Sequence, residues 1–375
     1  MKIGIVCYPT YGGSGVLATE LGKEVAAQGH QVHFISYALP RRLAPYSPNT
    51  FYHEVEISSY PLFEHQDYGL ALTSKLLEVM EYEQLDLIHA HYAIPHAISA
   101  YLSKKILQSQ NKDIKIITTL HGTDITLVGL EPSYLPLVKF GIEESDGVTA
   151  VSRFLKEKTI TNYNVEKDIE VIYNFIDTDL YNGASRCCLK NKLAPNGEKI
   201  LIHTSNFRPV KRVSDTIRIF NKVKEHIPSK LVLIGDGPDR SECERLVREF
   251  DIVEDVVFLG KQDSLNEILP IADVFLIPSQ SESFGLAALE AMGCGVPVVS
   301  SSVGGLPELV YHNETGYVAE LGDVDRMAKY TVDLLTKDKK YEKFSKNSRK
   351  RAVELFDKKI IIPKYLEFYD KILGS

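Results

Sequence analysis

The chain has 375 residues, too many for one ordinary hydrophobic core, so we expect two domains. Its composition, with 44% hydrophobic and 25% charged residues, is that of a soluble globular protein, and no apolar run approaches the ~20 residues that span a bilayer. The formal net charge of −7 gives no basic surface for nucleic acid, so membrane-spanning and nucleic-acid-binding classes are both disfavoured.

Short apolar runs alternate with amphipathic helical stretches through the first half of the chain. Strands are predicted at Lys2–Cys7, Gln31–Ser36, Phe51–Ile57, Leu87–Ala90, Lys115–Leu120 and Gly147–Ala150. Helices are predicted at Gly15–Gln28 and Leu70–Glu83. This βαβ rhythm predicts a parallel sheet with helices on both faces.

A second series of the same kind follows. Its strands are predicted at Lys199–His203, Lys230–Ile234, Val256–Leu259, Val274–Ile277 and Pro297–Ser301, and its helices at Ser214–His226, Arg240–Phe250 and Leu286–Met292. We place the two domains at residues 1–172 and 173–356, joined by the loop Tyr173–Lys192. A final amphipathic helix at 357–375, which contains Pro363, is expected to pack back on the first domain.

Cysteine usage indicates the compartment. The five cysteines form no CxxC pair and no zinc-like cluster with histidine; they are Cys7, Cys187, Cys188, Cys243 and Cys294. The N-terminal residues enter a strand pattern directly, without the features of a signal peptide. We therefore expect reduced thiols and a cytoplasmic protein.

A glycine-rich loop follows the first strand, at Pro9–Gly15. The glycines would let backbone N–H groups approach a phosphate, and the N-terminus of the next helix favours negative charge. Gly13, Ser14 and Gly15 are therefore candidate ligand contacts, and the alternative is a tight turn without a ligand. The order is not GxGxxG, which disfavours an NAD-dependent oxidoreductase.

Histidines end two strands of the first half. His121 stands at a strand's carboxyl end, where side chains of parallel sheets line the binding crevice. His89 and His91 end a neighbouring strand and are expected to point to different faces, so one of them should be structural.

Three cations, Arg208, Lys211 and Arg212, follow the first strand of the second half. Their charges at a strand end suit a diphosphate, for which arginine supplies a fork of donors and lysine a compact charge. The alternative is a solvated charge cluster.

The most specific pattern pairs Glu282 with Glu290. Ser283 is predicted to cap a helix that starts near Phe284, leaving N–H groups that would face an anion. Glu290 would then lie about two turns along this helix, on the same side as Glu282.

The Glu282–Glu290 pattern, with Phe284-Gly285-Leu286 inside it, resembles the retaining glycosyltransferases of family 4. Three further motifs match that family, at 235–238, 304–308 and 313–317, and the resemblance covers nearly the whole chain. It implies an α/β fold of the GT-B type, with two Rossmann-like domains whose parallel sheets face an interdomain cleft that holds the active site. It also implies front-face attack. No DxD-like pair stands out in the right context, so we expect no metal or other cofactor.

The resemblance assigns roles for a nucleotide-sugar donor. It implies that Glu290 binds the ribose of UDP, Glu282 the donor sugar and Lys211 the diphosphate, while His121 approaches the reacting centre. The remaining donor contacts that it implies are Gly13, Ser14, Gly15, Asn206, Arg208, Gln262, Ser283, Phe284, Gly285 and Leu286. Many members carry arginine where this chain has Asn206, and Arg208 is expected to compensate.

Five motifs carry a narrower resemblance within the family, at 7–15, 89–96, 118–124, 173–177 and 205–208. They resemble members that transfer N-acetylglucosamine from UDP-GlcNAc to L-malate, the first step of bacillithiol biosynthesis. Candidates for holding the malate carboxylates are Tyr92, Thr123, Arg153 and Asn174, with Arg42 behind them. The alternatives are a related enzyme that uses inositol phosphate or a sugar as acceptor, and a UDP-GlcNAc 2-epimerase. The sequence leaves the oligomeric state open, a homodimer included.

Overall fold

The computed structural model describes residues 1–10, 12–44, 46–57, 67–184 and 187–374, without the side chains of Cys187 and Cys188. Tyr11 of the glycine-rich loop lies outside these residues. The chain forms two compact units, one comprising Met1–Asn174 with Ile361–Ser375 and the other Phe175–Ile360. Most of the predicted connecting loop, from Phe175 onward, thus belongs to the second unit.

The first unit contains a sheet of seven parallel strands in the order β3-β2-β1-β4-β5-β6-β7. The strands are β1 (Lys2–Val6), β2 (Gln31–Ser36), β3 (Thr50–Glu54), β4 (Leu87–His91), β5 (Lys115–Leu120), β6 (Gly147–Ala150) and β7 (Ile169–Val171). The helices are α1 (Ser14–Ala27), α2 (Tyr68–Glu83), α3 (Ile98–Ser109), α4 (Leu135–Glu143) and α5 (Arg153–Tyr163), with short helical turns at Ala93–Ala97, Thr123–Leu127 and Val128–Leu130.

The second unit contains six parallel strands in the order β10-β9-β8-β11-β12-β13. These are β8 (Lys199–Thr204), β9 (Ser229–Ile234), β10 (Val256–Gly260), β11 (Val274–Ile277), β12 (Val298–Ser301) and β13 (Gly316–Ala319). The helices are α6 (Cys187–Leu193), α7 (Val213–Lys224), α8 (Arg240–Glu249), α9 (Leu265–Ile268), α10 (Leu286–Gly293), α11 (Leu306–Leu309), α12 (Val324–Thr336) and α13 (Asp338–Phe356), with single turns at Pro209–Lys211, Val253–Asp255 and Leu269–Ile271.

The predicted parallel α/β architecture is confirmed in both units. Strands such as β1 and β11 could be recognised in the sequence because strands that are buried on both sheet faces form apolar runs. The edge strand β13 has only four residues, and its short run did not stand out in the sequence. The predicted third strand, Phe51–Ile57, is shifted to Thr50–Glu54. Among the helices of the described residues, none is long and apolar enough to cross a bilayer.

The last helix, α14 (Lys358–Leu373), contains Pro363, and from Ile361 onward it belongs to the first unit. The hydroxyl of Tyr369, a fully buried residue, is 2.7 Å from Nδ1 of His89. A Cβ on Gly147 of β6 would lie 2.8 Å from the Phe368 ring, so the glycine lets the helix approach the sheet. These contacts pack the C-terminal helix against β4 and β6.

Candidate functional site

Glu282 lies in the loop between β11 and α10, where its carboxylate is held from two sides. Its Oε1 atom accepts hydrogen bonds from Lys211 Nζ at 2.7 Å and from Ser279 Oγ at 2.9 Å. The side chains of Lys211 and Glu282 are 22% and 12% exposed, so water screens the pair only partly. The N–H of Gln280 donates to the carbonyl of Val210 at 2.7 Å, which ties the two loops together next to the ion pair.

Four motif glycines support this loop system through close packing. Gly304 has φ +58°, and a Cβ there would lie 1.8 Å from the carbonyl oxygen of Glu282. A Cβ on Gly235, at φ +120°, would likewise lie 1.8 Å from the carbonyl oxygen of Ser205. Gly305 and Gly237 are confined in the same way against the same two loops. The glycines therefore place Glu282 and the loop after β8, because no side chain fits at these positions.

Helix α10 begins at Leu286, so the prediction that Ser283 caps a helix starting at Phe284 was wrong. Gly285 occupies the N-cap position with φ +100°, a conformation that glycine adopts without strain. Within the described part of the chain, no side chain caps this terminus, which leaves first-turn N–H groups available to an anion.

Glu290 is the fifth residue of α10, one turn from its start rather than the predicted two. It is only 5% exposed, and its Oε1 accepts a hydrogen bond from the Tyr181 hydroxyl at 2.7 Å. Because Glu282 precedes the helix, helical periodicity does not relate the two carboxylates.

The three predicted cations have different surroundings. Arg212 donates from Nε to Asp215 at 2.6 Å, and Asp215 also accepts from Arg218 at 2.8 Å, so Arg212 shares one carboxylate with a second arginine. Arg208 is exposed in the loop after β8, and Lys211 pairs with Glu282.

Two further donor candidates lie in exposed loops of the second unit. Asn206 follows β8, and its carbonyl oxygen would be 2.1 Å from a Cβ on Gly237. Gln262 follows β10 and donates from Nε2 to the carbonyl of Leu259 at 2.7 Å. This hydrogen bond folds the Gln262 side chain back onto its own loop.

In the first unit, the glycine-rich loop leads into α1. A Cβ on Gly15 would lie 2.3 Å from the Tyr8 carbonyl oxygen, so this glycine is required by packing. Gly13 is the N-cap of α1 with φ +54°, and no atom of the described residues lies within 4 Å of a Cβ built on Gly12 or Gly13. Ser14 Oγ is 2.5 Å from the Tyr92 hydroxyl, which joins the loop to the residue after β4.

The histidines on β4 and directly after β5 form one buried cluster. His91 Nδ1 lies 2.8 Å from His121 Nε2, and the rings of His89 and His91 are 4.4 Å apart. The expectation that His89 and His91 point to different faces was wrong, because residues two apart on a strand share a face. His89 bonds to Tyr369 and Thr119, which makes it the structural member.

Burial controls the ionisation of this cluster. It lowers the pKa of His121, and separately that of His89, to about 3. It holds the pKa of His91 well below its ordinary range. All three imidazoles are therefore neutral at pH 7.

Two of the acceptor candidates lie beside His121. The ring of Tyr92 is 5.2 Å from that of His121, and the Tyr92 hydroxyl lies 2.5 Å from Ser14 Oγ. Thr123 begins the helical turn two residues after His121. Tyr92 has φ +96°, a strained conformation for a non-glycine residue, of the kind that clusters at functional sites.

The other three candidates stand further along the chain. Arg153 is the exposed first residue of α5, and Arg42 is half-buried with φ +67°. Asn174 is 7% exposed, and within the described residues its Oδ1 is buried without a hydrogen-bond partner.

Family models match both halves of the chain. The model described as Glycosyltransferase Family 4 matches residues 11–180, and that described as Glycosyl transferases group 1 matches residues 189–351. The N-acetyl-alpha-D-glucosaminyl L-malate synthase of Bacillus anthracis is 46% identical over 374 residues, which cover 100% of this chain and 97% of that protein. The chain is a family 4 glycosyltransferase.

More distant relatives agree on the fold. The uncharacterized glycosyltransferase MJ1607 of Methanocaldococcus jannaschii is 30% identical, over 94% of this chain and 93% of that protein. The crystal structure of Anabaena HepE in complex with UDP-glucose has a TM-score of 0.82 at 20% identity, covering 99% of this chain and 100% of that chain. The two Rossmann-like units of this glycosyltransferase thus have the GT-B fold.

Three residues that position the glycosyltransferase's candidate site were not singled out from the sequence. Ser279 and Tyr181 bind the two glutamates, and Asp124 joins the loops after β4 and β5 by accepting from the N–H groups of Ala93 at 2.9 Å and Gly122 at 3.0 Å. Burial raises the pKa of Asp124 to about 6. Asp124 ends the strand-end motif 118–124, whereas nothing local marks Tyr181.

Within the described residues of the glycosyltransferase, one group has metal-ligand chemistry: His33, His53 and Glu83. His33 Nδ1 and His53 Nε2 are 3.0 Å apart and the ring centroids 5.2 Å apart, so the two nitrogens lie nearly on the line between the rings and point at each other. A shared metal needs lone pairs that converge on one point. The hydrogen bond between the rings therefore accounts for this pair.

Proposed function

We propose that this glycosyltransferase moves N-acetylglucosamine from UDP-GlcNAc to the hydroxyl of L-malate, giving GlcNAc-α-malate and UDP, the first step of bacillithiol biosynthesis. The observation that carries the proposal is the Lys211–Glu282 pair beside the uncapped N-terminus of α10. The lysine and the N–H groups of the helix can bind a diphosphate, and the glutamate carboxylate can accept hydrogen bonds from sugar hydroxyls. The malate acceptor is supported by the 46% identity that extends over 97% of the Bacillus anthracis synthase.

The second unit binds most of the donor in this proposal. Lys211 gives up its hydrogen bond to Glu282 and binds the diphosphate instead, while Glu282 accepts hydrogen bonds from the sugar hydroxyls. Glu290, held by Tyr181, accepts from the ribose hydroxyls. The remaining contacts are the loop residues Asn206, Arg208 and Gln262 and the backbone of Ser283, Phe284, Gly285 and Leu286.

In the first unit, the donor contacts that we propose are Gly13, Ser14 and Gly15 at the start of α1. This terminus also lacks a side-chain cap within the described residues, so its first-turn N–H groups are available to the phosphates. His121 stands at the end of β5, and we place it against the transferred sugar.

The reaction breaks the bond between the sugar C1 and the phosphate oxygen and forms a bond from C1 to the malate hydroxyl oxygen on the same face. The departing phosphate takes the hydroxyl proton, so no protein base is required. Lys211 and the two helix N-termini stabilise the negative charge that grows on the leaving oxygens. Since these groups supply the positive charge that a metal ion would otherwise supply, we propose that transfer needs no metal.

The acceptor carries two carboxylates, which need cations or hydrogen-bond donors. Arg153, with Arg42 behind it, supplies charge in this proposal, while Tyr92, Thr123 and Asn174 supply polar contacts near His121.

We further place the enzyme in the cytoplasm, where its reduced cysteines and nucleotide-sugar donor belong, and propose a homodimer to be tested by sedimentation.

The test is UDP release from UDP-GlcNAc in the presence of EDTA, with and without L-malate and with a panel of other acceptors. Malate-dependent release supports donor, acceptor and metal independence together. Release with inositol phosphate or a sugar instead would discard the malate assignment. Formation of UDP-ManNAc without release would establish a 2-epimerase and overturn the proposal.

A further inference from the structure

His91 and His121 are joined by one hydrogen bond between ring nitrogens. They end β4 and follow β5, neighbouring parallel strands in which His91 is paired with Thr119. The distance from His91 Nδ1 to His121 Nε2 is 2.8 Å, and the ring centroids are 5.0 Å apart. The two nitrogens thus lie nearly on the line between the rings, as a linear hydrogen bond requires.

The second nitrogen of His91 has no hydrogen-bond partner among the residues that the structure describes. Its Nε2 atom is buried, and none of the described residues forms a hydrogen bond with it. His91 as a whole is fully buried, whereas His121 is 8% exposed. An N–H group at this Nε2 would therefore be a buried donor without an acceptor, which proteins rarely tolerate.

The proton count follows from the charge of the pair. Both imidazoles are neutral, since burial lowers both pKa values, and each therefore carries one N–H. If His121 donates the hydrogen bond, the one N–H group of His91 lies at its unpartnered Nε2. If His91 donates from Nδ1, its Nε2 carries only a lone pair, which is less costly to bury than an N–H group. The second arrangement leaves the proton of His121 on Nδ1.

We propose that His91 is a positioning residue that fixes His121 in the Nδ1–H tautomer, so that His121 meets the substrate as a neutral hydrogen-bond donor and never as a base. The ligand group that it recognises is an oxygen acceptor, a sugar hydroxyl or a phosphate oxygen. The role in transfer rests on the proposed function, which places His121 against the donor sugar. The tautomer itself rests only on the contacts within the first unit.

Nitrogen-15 chemical shifts of the ligand-free full chain, labelled at histidine, report the tautomer directly. The His121 signals are identified because they disappear in the His121→Gln variant. At pH 7 we expect a protonated Nδ1 and a bare Nε2 for both His91 and His121. An Nε2–H signal for His121, or an imidazolium form, would overturn the proposal. This measurement does not depend on activity, so it stands apart from the test of the malate reaction.

The positioning role is tested with His91→Phe, which keeps a buried ring and removes the donor. We expect the His121 signals to shift toward the Nε2–H form that imidazoles favour in water. We expect kcat to fall about 10²-fold, the scale of a small misplacement of a catalytic group, with the Kd for UDP unchanged. An unshifted tautomer or an unchanged kcat would each refute the positioning role.

The matched control is His33→Phe. His33 is fully buried in the same sheet, is hydrogen-bonded to another histidine and likewise has an unpartnered Nε2. It bonds to His53 on β3, so its loss should leave the tautomer of His121 and kcat unchanged. Equal losses of kcat in both variants would show that general destabilisation, and not the tautomer, explains the effect.

Discussion

Lys211 Nζ lies 2.7 Å from Glu282 Oε1, so the cation proposed for the diphosphate and the carboxylate proposed for the sugar neutralise each other in the free protein. The two residues come from separate loops, after β8 and before α10. In the proposed mode of donor binding, each charge would keep its partner until a donor supplied phosphate oxygens for the lysine and hydroxyls for the glutamate. Neither charge is then left buried without a partner, which would be costly.

Replacement of Lys211 by alanine should reduce kcat/KM by about 30- to 1,000-fold, equivalent to ~2–4 kcal/mol of lost charge stabilisation in the transition state. Steady-state UDP release measures the effect. Lys222→Ala, which removes an exposed lysine paired with Asp325 on the same unit, is the control. A loss of only a few-fold for Lys211→Ala would remove this lysine from the phosphate site.

Replacement of Glu290 by glutamine should weaken UDP binding by about 10- to 100-fold, because a hydrogen bond to a charged group contributes ~1.5–3 kcal/mol. Titration calorimetry with UDP measures it without any acceptor. Tyr181→Phe removes the hydroxyl that bonds to Glu290 Oε1 and should have a smaller effect, since the carboxylate stays. Unchanged UDP affinity in Glu290→Gln would contradict the ribose assignment.

Gly304→Ala tests whether the glycine motif places Glu282. The new Cβ would overlap the Glu282 carbonyl oxygen at 1.8 Å and adopt φ +58°. Gly197→Ala is the matched control, because Gly197 has φ +81° but its Cβ would have no atom of the described residues within 4 Å. In the control, the left-handed conformation of the new alanine should lower the free energy of unfolding by only ~1–2 kcal/mol. Gly304→Ala should lower it more and should also reduce activity. Thermal unfolding and UDP release distinguish the two; equal losses would show that overlap contributes nothing.

Asp124 should make stability depend on pH in the acid range. Burial raises the pKa of Asp124 in the folded protein to about 6, against 3.8 when unfolded, so the folded state binds the extra proton between these values. The contribution is fully present below pH 3.8 and is lost as pH rises through about 6. Urea unfolding of wild type and Asp124→Asn at several pH values measures the difference in unfolding free energy. That difference should favour the wild type most at low pH; a constant difference would argue against the raised pKa.

Local patterns carried most of the fold. The strands β1, β2, β5 and β6 lie within one residue of their predicted bounds, since strands buried on both faces are mostly apolar. The glutamate pattern also marked the loop and helix that now hold Glu282 and Glu290. The start of α10 was misplaced because a serine is a common cap, while the turn there requires the positive φ of Gly285.

The sequence by itself thus determined two α/β units, their parallel strands and the family of the chain, because periodicity and short motifs are local properties. Only the tertiary structure decided which side chains meet. The pairs Lys211–Glu282, Tyr181–Glu290 and His89–Tyr369 are 71, 109 and 280 residues apart in the chain. The order of strands in each sheet and the course of the loops bring these residues together, and no spacing along the chain encodes a contact of that range.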